Sequence, residues 1–462
     1  MAATFYHIID MVNRVRDDVN WFFAVPETTR TVQWCPEDFK DLDRVTVLPV
    51  LSDQIAGEGK GGYGKTDYPF YYPKMLDLFV EDDYFKFDVF LSPFAHAQFV
   101  PVLQAHPALR LHHLKPRVAQ PSIINYITET WVNKAIPPLD GFIAKFCHVA
   151  SAGVSDINLV MTPDDVGSVL KVAKQYLSPS LVRGLDIRYM PVPVSPEAVP
   201  QYSRPAGRRA FLHGGTFEAA RHLQWLAEQL RPLKVRYPDL TATFTTQRGT
   251  LPRWTKDMSH VDFVTDCTRE EFYHRMGEAD FIPCYVDYVG TGIAYTEAIL
   301  SGLTPIIMKK PWNKGKFPEN YPFLCNNEAE FNKALAFCAH NPASAKKLGQ
   351  QCIDHVRKYY EVETQGHIWS SLLEDAVALR AEKTASACQT HLVYAIVEKA
   401  LADLPERFDG EDALQAIANS ANKLDEAFFK SIWWRARQIL LTLGTREVEG
   451  GSWQTAVFQK VN

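Results

Sequence analysis

The 462-residue chain has no CxxC pair and no cluster of histidine, cysteine or carboxylate residues at metal-ligand spacing. Its eight cysteines, Cys35, Cys147, Cys267, Cys284, Cys325, Cys338, Cys352 and Cys388, are scattered. Reduced structural thiols are therefore expected, rather than a disulfide framework or a metal site. No apolar run is long enough to span a bilayer. No basic-then-apolar leader opens the chain. Both absences predict a soluble, cytoplasmic protein without a membrane partner. Neither charge sign is in large excess: the net charge of −5 gives no global nucleic-acid signature. Internal repeats and low-complexity tracts are also missing. What the chain does have is apolar content, 46%, enough for large cores, and a length that predicts two or three domains.

Over most of the chain short apolar runs alternate with helical stretches, which predicts parallel, doubly wound sheets. A first α/β domain is expected over residues 1–195. Its strands are predicted at Phe5–Ile9, Trp21–Val25, Val45–Leu51, Phe87–Leu91, Ser122–Ile127, Leu159–Met161 and Ile187–Val192. Thr162-Pro163-Asp164-Asp165 reads as a helix start, with Thr162 as N-cap and Pro163 in the first position. Pro196, Pro200, Pro205 and Gly207 mark a linker.

A second α/β domain is expected over residues 208–382. It opens with strand Ala210–His213, then Gly214-Gly215 and a helix over Glu218–Leu230. Strands Leu240–Thr245 and Val261–Val264 follow. Thr268 and Glu271 form a capping box ahead of a helix that turns Phe272, Met276 and Ala279 inward. The stretch Phe281–Met308 organises the rest. It reads as strand Phe281-Ile282, a turn with Asp287 and Gly290-Thr291-Gly292, helix Ile293–Leu300 ended by Gly302, and strand Thr304–Met308. Glycines and free N–H groups at a helix N-terminus make an anion site. Glu297 falls in the second turn of that helix. Helices are predicted at Ala343–Tyr359 and Ile368–Ala381.

Residues 389–462 read as a separate module, with helices His391–Leu404, Gly410–Ala421 and Leu424–Leu443. A hairpin follows, Arg446–Val448 and Trp453–Phe458 around Gly450-Gly451. Three helices and a hairpin resemble a winged helix, a fold that often docks on DNA. From Lys430 onward five basic residues face two acidic ones, so Arg435, Arg437 and Arg446 are candidate phosphate contacts. The alternative is a protein-docking or packing module.

The stretch around Gly290-Thr291-Gly292 and Glu297-Ala298, followed by Ser301-Gly302-Leu303-Thr304-Pro305, resembles the donor-binding segment of GT-B glycosyltransferases, above all the large retaining nucleotide-sugar family. The likeness covers roughly residues 155–375. It implies two Rossmann-like domains (GT-B), to which the module read at residues 389–462 adds a C-terminal helical or winged-helix extension. It also implies a glycosyltransferase, moving a hexose or pentose from a UDP-sugar without an obligatory metal. In that family a Gly-rich turn meets the diphosphate and sugar, and a glutamate matching Glu297 binds the nucleotide ribose. An earlier family glutamate falls on Val289 here, with Asp287 as the stand-in, so both stereochemical outcomes stay open. The usual Arg-x4-Lys pair is absent; only Arg221 lies near its place. The terminal module adds hydroxymethylated bases in double-stranded DNA as an acceptor, as in phage base-modifying glycosyltransferases. A small molecule, glycan or protein acceptor is the alternative. A non-catalytic nucleotide-sugar-binding or NTPase scaffold is the reading from another class.

Residues 59–66, GKGGYGKT, match the P-loop pattern, but no strand directly precedes them and Pro69 and Pro73 stand where its helix should run. Gly61, Gly62 and Lys65 are then expected in a loop, facing either a cleft or solvent. His96 follows a predicted strand end, where ligands bind in open sheets. By the resemblance it is a candidate base for the acceptor hydroxyl; otherwise it is a packed or solvated histidine. Gly214 and Gly215 are candidate donor contacts. Arg248 and Lys256 are either diphosphate-neutralising groups or surface cations.

Overall fold

The computed structural model describes residues 2–26, 39, 41–51, 87–93, 122–127, 149, 152–153, 155–213, 222–246, 251–287, 292–420, 445–449 and 457–460. The chain divides into two compact units. One comprises Met1–Phe79, Leu91–Pro101 and Ile123–Asp375, the other Val80–Phe90, Val102–Ser122 and Ala376–Asn462.

The chain opens with a helix, α1 (Ala2–Val15), where Phe5–Ile9 reads as a strand. Phe5, Ile8, Ile9 and Val12 recur at helical spacing and are all buried. A run of five bulky residues suits either period; the longer match through Val12 decides it. Strands β1 (Trp21–Pro26) and β2 (Val45–Leu51) then pair in parallel. A second sheet has the order β3-β4-β5-β6: Val89–Pro93, Ser122–Ile127, Ile157–Val160 and Ile187–Tyr189. β6 is shorter than predicted and stops ahead of Pro191, which lacks the N–H a ladder needs. Helix α2 (Pro163–Tyr176) starts at Thr162 as read, and α3 (Pro179–Arg183) follows.

The sheet that matters for function has six parallel strands: β7 (Arg209–His213), β8 (Thr241–Thr245), β9 (Asp262–Val264), β10 (Phe281–Cys284), β11 (Thr304–Met308) and β12 (Leu324–Cys325). Their spatial order is β9-β8-β7-β10-β11-β12, so the winding reverses between β7 and β10. α4 (Leu223–Arg236) connects β7 to β8 on one side of that reversal, and α5 (Arg269–Glu278) carries the chain from β9 back across it to β10. The Thr268 hydroxyl caps α5 by accepting from the Glu271 amide, 3.1 Å. α6 (Ile293–Leu300) and β11 have the predicted bounds. Gly302 sits at φ +104°, a conformation that suits only glycine well. Every residue of β10 and β11 is buried, as continuous apolar strands covered on both faces should be.

Helices α7 (Glu328–His340) and α8 (Pro342–Tyr359) pack along the same sheet. Gly349 of α8 lies against Thr304. A Cβ there would sit 2.8 Å from Thr304 Cβ. Overpacking of that kind costs about 1–3 kcal/mol, against roughly 1 kcal/mol that alanine gains over glycine inside a helix. Gly349→Ala should therefore lower the thermal unfolding temperature; an unchanged or raised value would contradict this packing.

The helices predicted at Ile368–Ala381 and His391–Leu404 are one helix, α9 (Val362–Asp403). No Gly or Pro lies between residues 382 and 390 to end it. In the second unit β13 (Arg407–Asp409), α10 (Gly410–Ser420), β14 (Thr445–Glu449) and β15 (Val457–Lys460) follow. β14 and β15 are antiparallel, as the predicted hairpin requires. β13 adds a third strand on the other side of β15, an element the sequence reading lacks. The expected helix Leu424–Leu443 lies outside the described residues.

Candidate active site

In an open parallel sheet the crevice for a ligand forms at the strand carboxyl ends where the winding reverses. Here that point lies between β7 and β10. Those strands are in register only at Phe281 and Ala210. Pro283 then withholds the N–H that the ladder would need next. The His213 carbonyl at the end of β7 accepts instead from the Tyr295 hydroxyl, 2.9 Å. The sheet is thus released at the reversal point, and side chains from three loops gather there.

Asp287, three residues past β10, is the centre of one group. Lys310, two residues past β11, donates from Nζ to its Oδ1 at 2.6 Å. His222, at the N-cap of α4, donates from Nε2 to its Oδ2 at 2.7 Å. Burial pushes the Asp287 carboxyl up, but the two hydrogen bonds and the charges of Lys310 and His222 more than reverse this and hold it below the ordinary range. Tyr285 forms the floor. The His222 ring stacks on it at 3.8 Å and 14°, and the Lys310 ammonium lies 5.1 Å from its centroid. The Tyr285 hydroxyl donates to Glu328 at 3.1 Å. His222 has φ +46°, uncommon for a residue with a Cβ. Strained backbone of this kind clusters at ligand sites.

The lowered carboxyl has a consequence for acid stability. A group depressed in the fold stabilises it above the unfolded value, about 4 for Asp, and that contribution is lost as pH falls through the folded value. Stability of the wild type relative to Asp287→Asn should hold its value just above pH ~4 and decline only below it. A decline that is complete before pH ~4 is reached would contradict the assignment.

Glu297 forms the second group. It lies in the second turn of α6, whose N-cap is Gly292. The Trp312 ring covers that cap: a Cβ on Gly292 would meet Cζ3 at 3.5 Å, and Trp312 Nε1 donates to the Val286 carbonyl at 2.9 Å. Lys316 lies 5.5 Å from the same ring, and burial pushes its ammonium down to about 8. The Glu297 side chain is 6% exposed. Its Oε1 accepts from the Tyr273 hydroxyl at 2.8 Å and from His7 Nε2 at 3.2 Å. Burial, then the charge of Glu297, raises the Tyr273 hydroxyl well above its usual value, so it stays a donor. No described residue donates to Oε2. Glu297 is therefore a buried, oriented carboxylate, not a solvated helix residue.

The structure brings Asp287, Gly292 and Glu297 to the two sides of the turn that follows β10. Lys256 is exposed on a short 3-10 segment; its neighbour Asp257 meets Arg231 in the second half of α4, away from His222 at the start of that helix. Arg446 is on β14, opposite Gln459. Gly61, Gly62, Lys65, His96, Gly214, Gly215, Arg248, Gly290, Thr291, Arg435 and Arg437 lie outside the described residues. His7, His222, Tyr273 and Lys310 were not singled out from sequence. Lys310 had a readable signal, a cation just past a strand end; the others depend on tertiary proximity. Among the described residues no group of three or more His, Cys, Asp or Glu is placed to hold a metal. No helix of the described residues is long and apolar enough to cross a membrane. Cys267, Cys284, Cys325, Cys338 and Cys352 are free and buried.

No family model matches the sequence, and no curated protein matches it. Solved structures do resemble the fold. Sucrose-phosphate synthase from Thermosynechococcus elongatus matches 80% of this chain and 92% of its own, with TM-score 0.56 and 12% identity. HepE from Anabaena, in complex with UDP and glucose, matches 81% and 96%, with TM-score 0.53 and 11% identity. S. aureus TarM matches 55% of this chain at TM-score 0.45 and 11% identity, and the chain spans about half of TarM's length, 51%. At these identities the likeness is one of fold. The chain has the α/β fold of GT-B glycosyltransferases, with parallel Rossmann-like sheets.

Proposed function

We propose that the protein is a glycosyltransferase that takes a UDP-sugar and moves the sugar to an acceptor hydroxyl. One observation carries the reading. At the reversal point of a doubly wound sheet, an oriented buried carboxylate and a cation stand on either side of a turn that leads into a helix N-terminus. That set suits a ribose diphosphate: Glu297 accepts from ribose hydroxyls, while Lys310 and the amides around Gly292 face the phosphates. HepE, of the same fold, is in complex with UDP and glucose.

In this reading the bond from the sugar's anomeric carbon to the β-phosphate oxygen breaks, and a bond to the acceptor oxygen forms. Lys310 and the amides at the start of α6, with Gly290 and Thr291 ahead of it, stabilise the charge that develops on the leaving diphosphate. The acceptor proton passes to the departing phosphate oxygen, and the anomeric configuration is retained. Asp287 is a poor base, because Lys310 and His222 favour its charged form. It serves instead to aim Lys310. His96 is the candidate base should inversion be observed.

For the acceptor we infer a hydroxymethylated base in DNA. The end of α9, then β13, α10 and the β14–β15 pair follow the order of a winged helix. A phage base-modifying enzyme would need such a DNA-contacting part, with the base flipped out for reaction. The runner-up is a small molecule, glycan or protein, the terminal unit then serving assembly. Mass spectrometry of hydroxymethylated DNA after incubation with a panel of UDP-sugars tests the choice. A hexose or pentose increment on the modified base is expected; no increment there, with transfer to small glycans instead, would replace the acceptor. The double change Arg435→Ala with Arg437→Ala should weaken DNA binding and lower the salt slope by about 0.9 per lost phosphate contact. Donor KM should stay unchanged. A gel-shift salt titration identical to wild type would count against DNA.

A further inference from the structure

We infer that His7 is a positioning residue for the donor ribose: it fixes which oxygen of Glu297 is offered to ligand. This rests on the ribose role given to Glu297 above. The hydrogen bonds of His7 fix its tautomer. The Ser195 amide donates to His7 Nδ1 at 3.2 Å. A backbone N–H can only donate, so Nδ1 carries a lone pair and the ring proton sits on Nε2. Nε2 is the atom 3.2 Å from Glu297 Oε1, so His7 donates to the carboxylate.

His7 is fully buried and cannot turn freely. Ser195 holds it through the amide, and the Ser195 hydroxyl donates to Asp10, one turn further along α1. Arg14 holds Asp10 in turn, Nε to Oδ2 at 2.8 Å. Beside His7, the Tyr6 ring packs 4.4 Å from the Arg269 guanidinium, in the first residue of α5. Tyr273, the second donor to Glu297, is on that same helix. α1 thus braces both donors that meet Glu297.

The asymmetry of the carboxylate is what points to a ligand. A buried carboxylate that served packing alone would have donors on both oxygens. Here both donors converge on Oε1, while Oε2 receives none from the described residues. Two donors on one oxygen fix the carboxylate plane and leave Oε2 as an acceptor with a set direction. A ribose hydroxyl is a donor of the class that Oε2 would take.

The test compares two polar replacements. His7→Gln keeps a donor near the place of Nε2. His7→Asn keeps an acceptor for the Ser195 amide but is too short to reach Glu297. Titration calorimetry of the full chain with UDP and with 2′,3′-dideoxy-UDP gives the preference for ribose hydroxyls. Glu297→Gln should reduce that preference by about tenfold or more, the scale of one charge-assisted hydrogen bond. His7→Asn should reduce it by a similar factor, with kcat changed far less than KM, and His7→Gln should restore most of it. Asn and Gln variants that both keep the wild-type preference, while Glu297→Gln loses it, would overturn the role of His7 alone. A wild-type preference in Glu297→Gln would overturn the ribose reading and this inference with it.

Discussion

Glu297→Ala is expected to damage the protein twice. Donor KM should rise by roughly 10- to 100-fold, since a hydrogen bond to a charged group is worth about 1.5–3 kcal/mol. Stability should fall as well. The change leaves His7 Nε2–H and the Tyr273 hydroxyl buried without their acceptor, and an unsatisfied buried donor costs about 1–3 kcal/mol. Loss of the carboxylate's own burial offsets part of this, so a net cost of about 2 kcal/mol is expected. Glu297→Gln separates the two effects. Its carbonyl oxygen still accepts from both donors, so thermal unfolding should stay close to wild type. The charge is gone, and donor KM should still rise about tenfold. Unchanged KM in the Gln variant would remove Glu297 from the donor site and leave it a packing residue.

Lys310→Met is expected to give the larger loss in turnover. Lys310 reaches Asp287 at 2.6 Å and lies over Tyr285. Both contacts hold the ammonium past the end of β11, beside Asp287 at the start of the turn that leads into α6. Removing a preorganised group that stabilises developing charge lowers kcat by about 10²–10³. A residue that only bound donor would raise KM and spare kcat. Lys310→Met should do the reverse, lowering kcat with a smaller change in KM. Asp287→Asn should fall between, because it keeps Lys310 in the crevice but weakens its aim. Kinetics of Lys310→Met with wild-type kcat would assign the phosphate contact elsewhere.

The sequence made some parts of this molecule legible because local signals agreed there. Thr268 caps α5, Gly302 closes α6, and the apolar run Thr304–Met308 is β11. Each rests on backbone chemistry that needs no distant partner. Phe5–Ile9 lies in helix α1 and is not the expected strand, because its bulky residues satisfy both the strand and the helix period. α9 is one helix where two are expected, because its polar middle, residues 382–390, lowers the apolar signal without holding a helix breaker. Glu297 was found through the resemblance of its turn and helix. Its partner His7 lies 290 residues away. Nothing in either local stretch encodes that contact, and the strand reading of α1 hid it further. His222 and Asp287 met the same limit, 65 residues apart and joined only by the order of β7 and β10 in the sheet.

The central claim is that the crevice beside β10 turns over a UDP-sugar. Proton NMR of a panel of UDP-sugars incubated with the full chain, with and without hydroxymethylated DNA, reads this directly through the anomeric signal of the donor. At least one UDP-sugar should be consumed, acceptor should speed its loss, and Lys310→Met should slow it by about 10²–10³. A panel left untouched by the wild-type chain, together with no detectable binding of UDP, would contradict it.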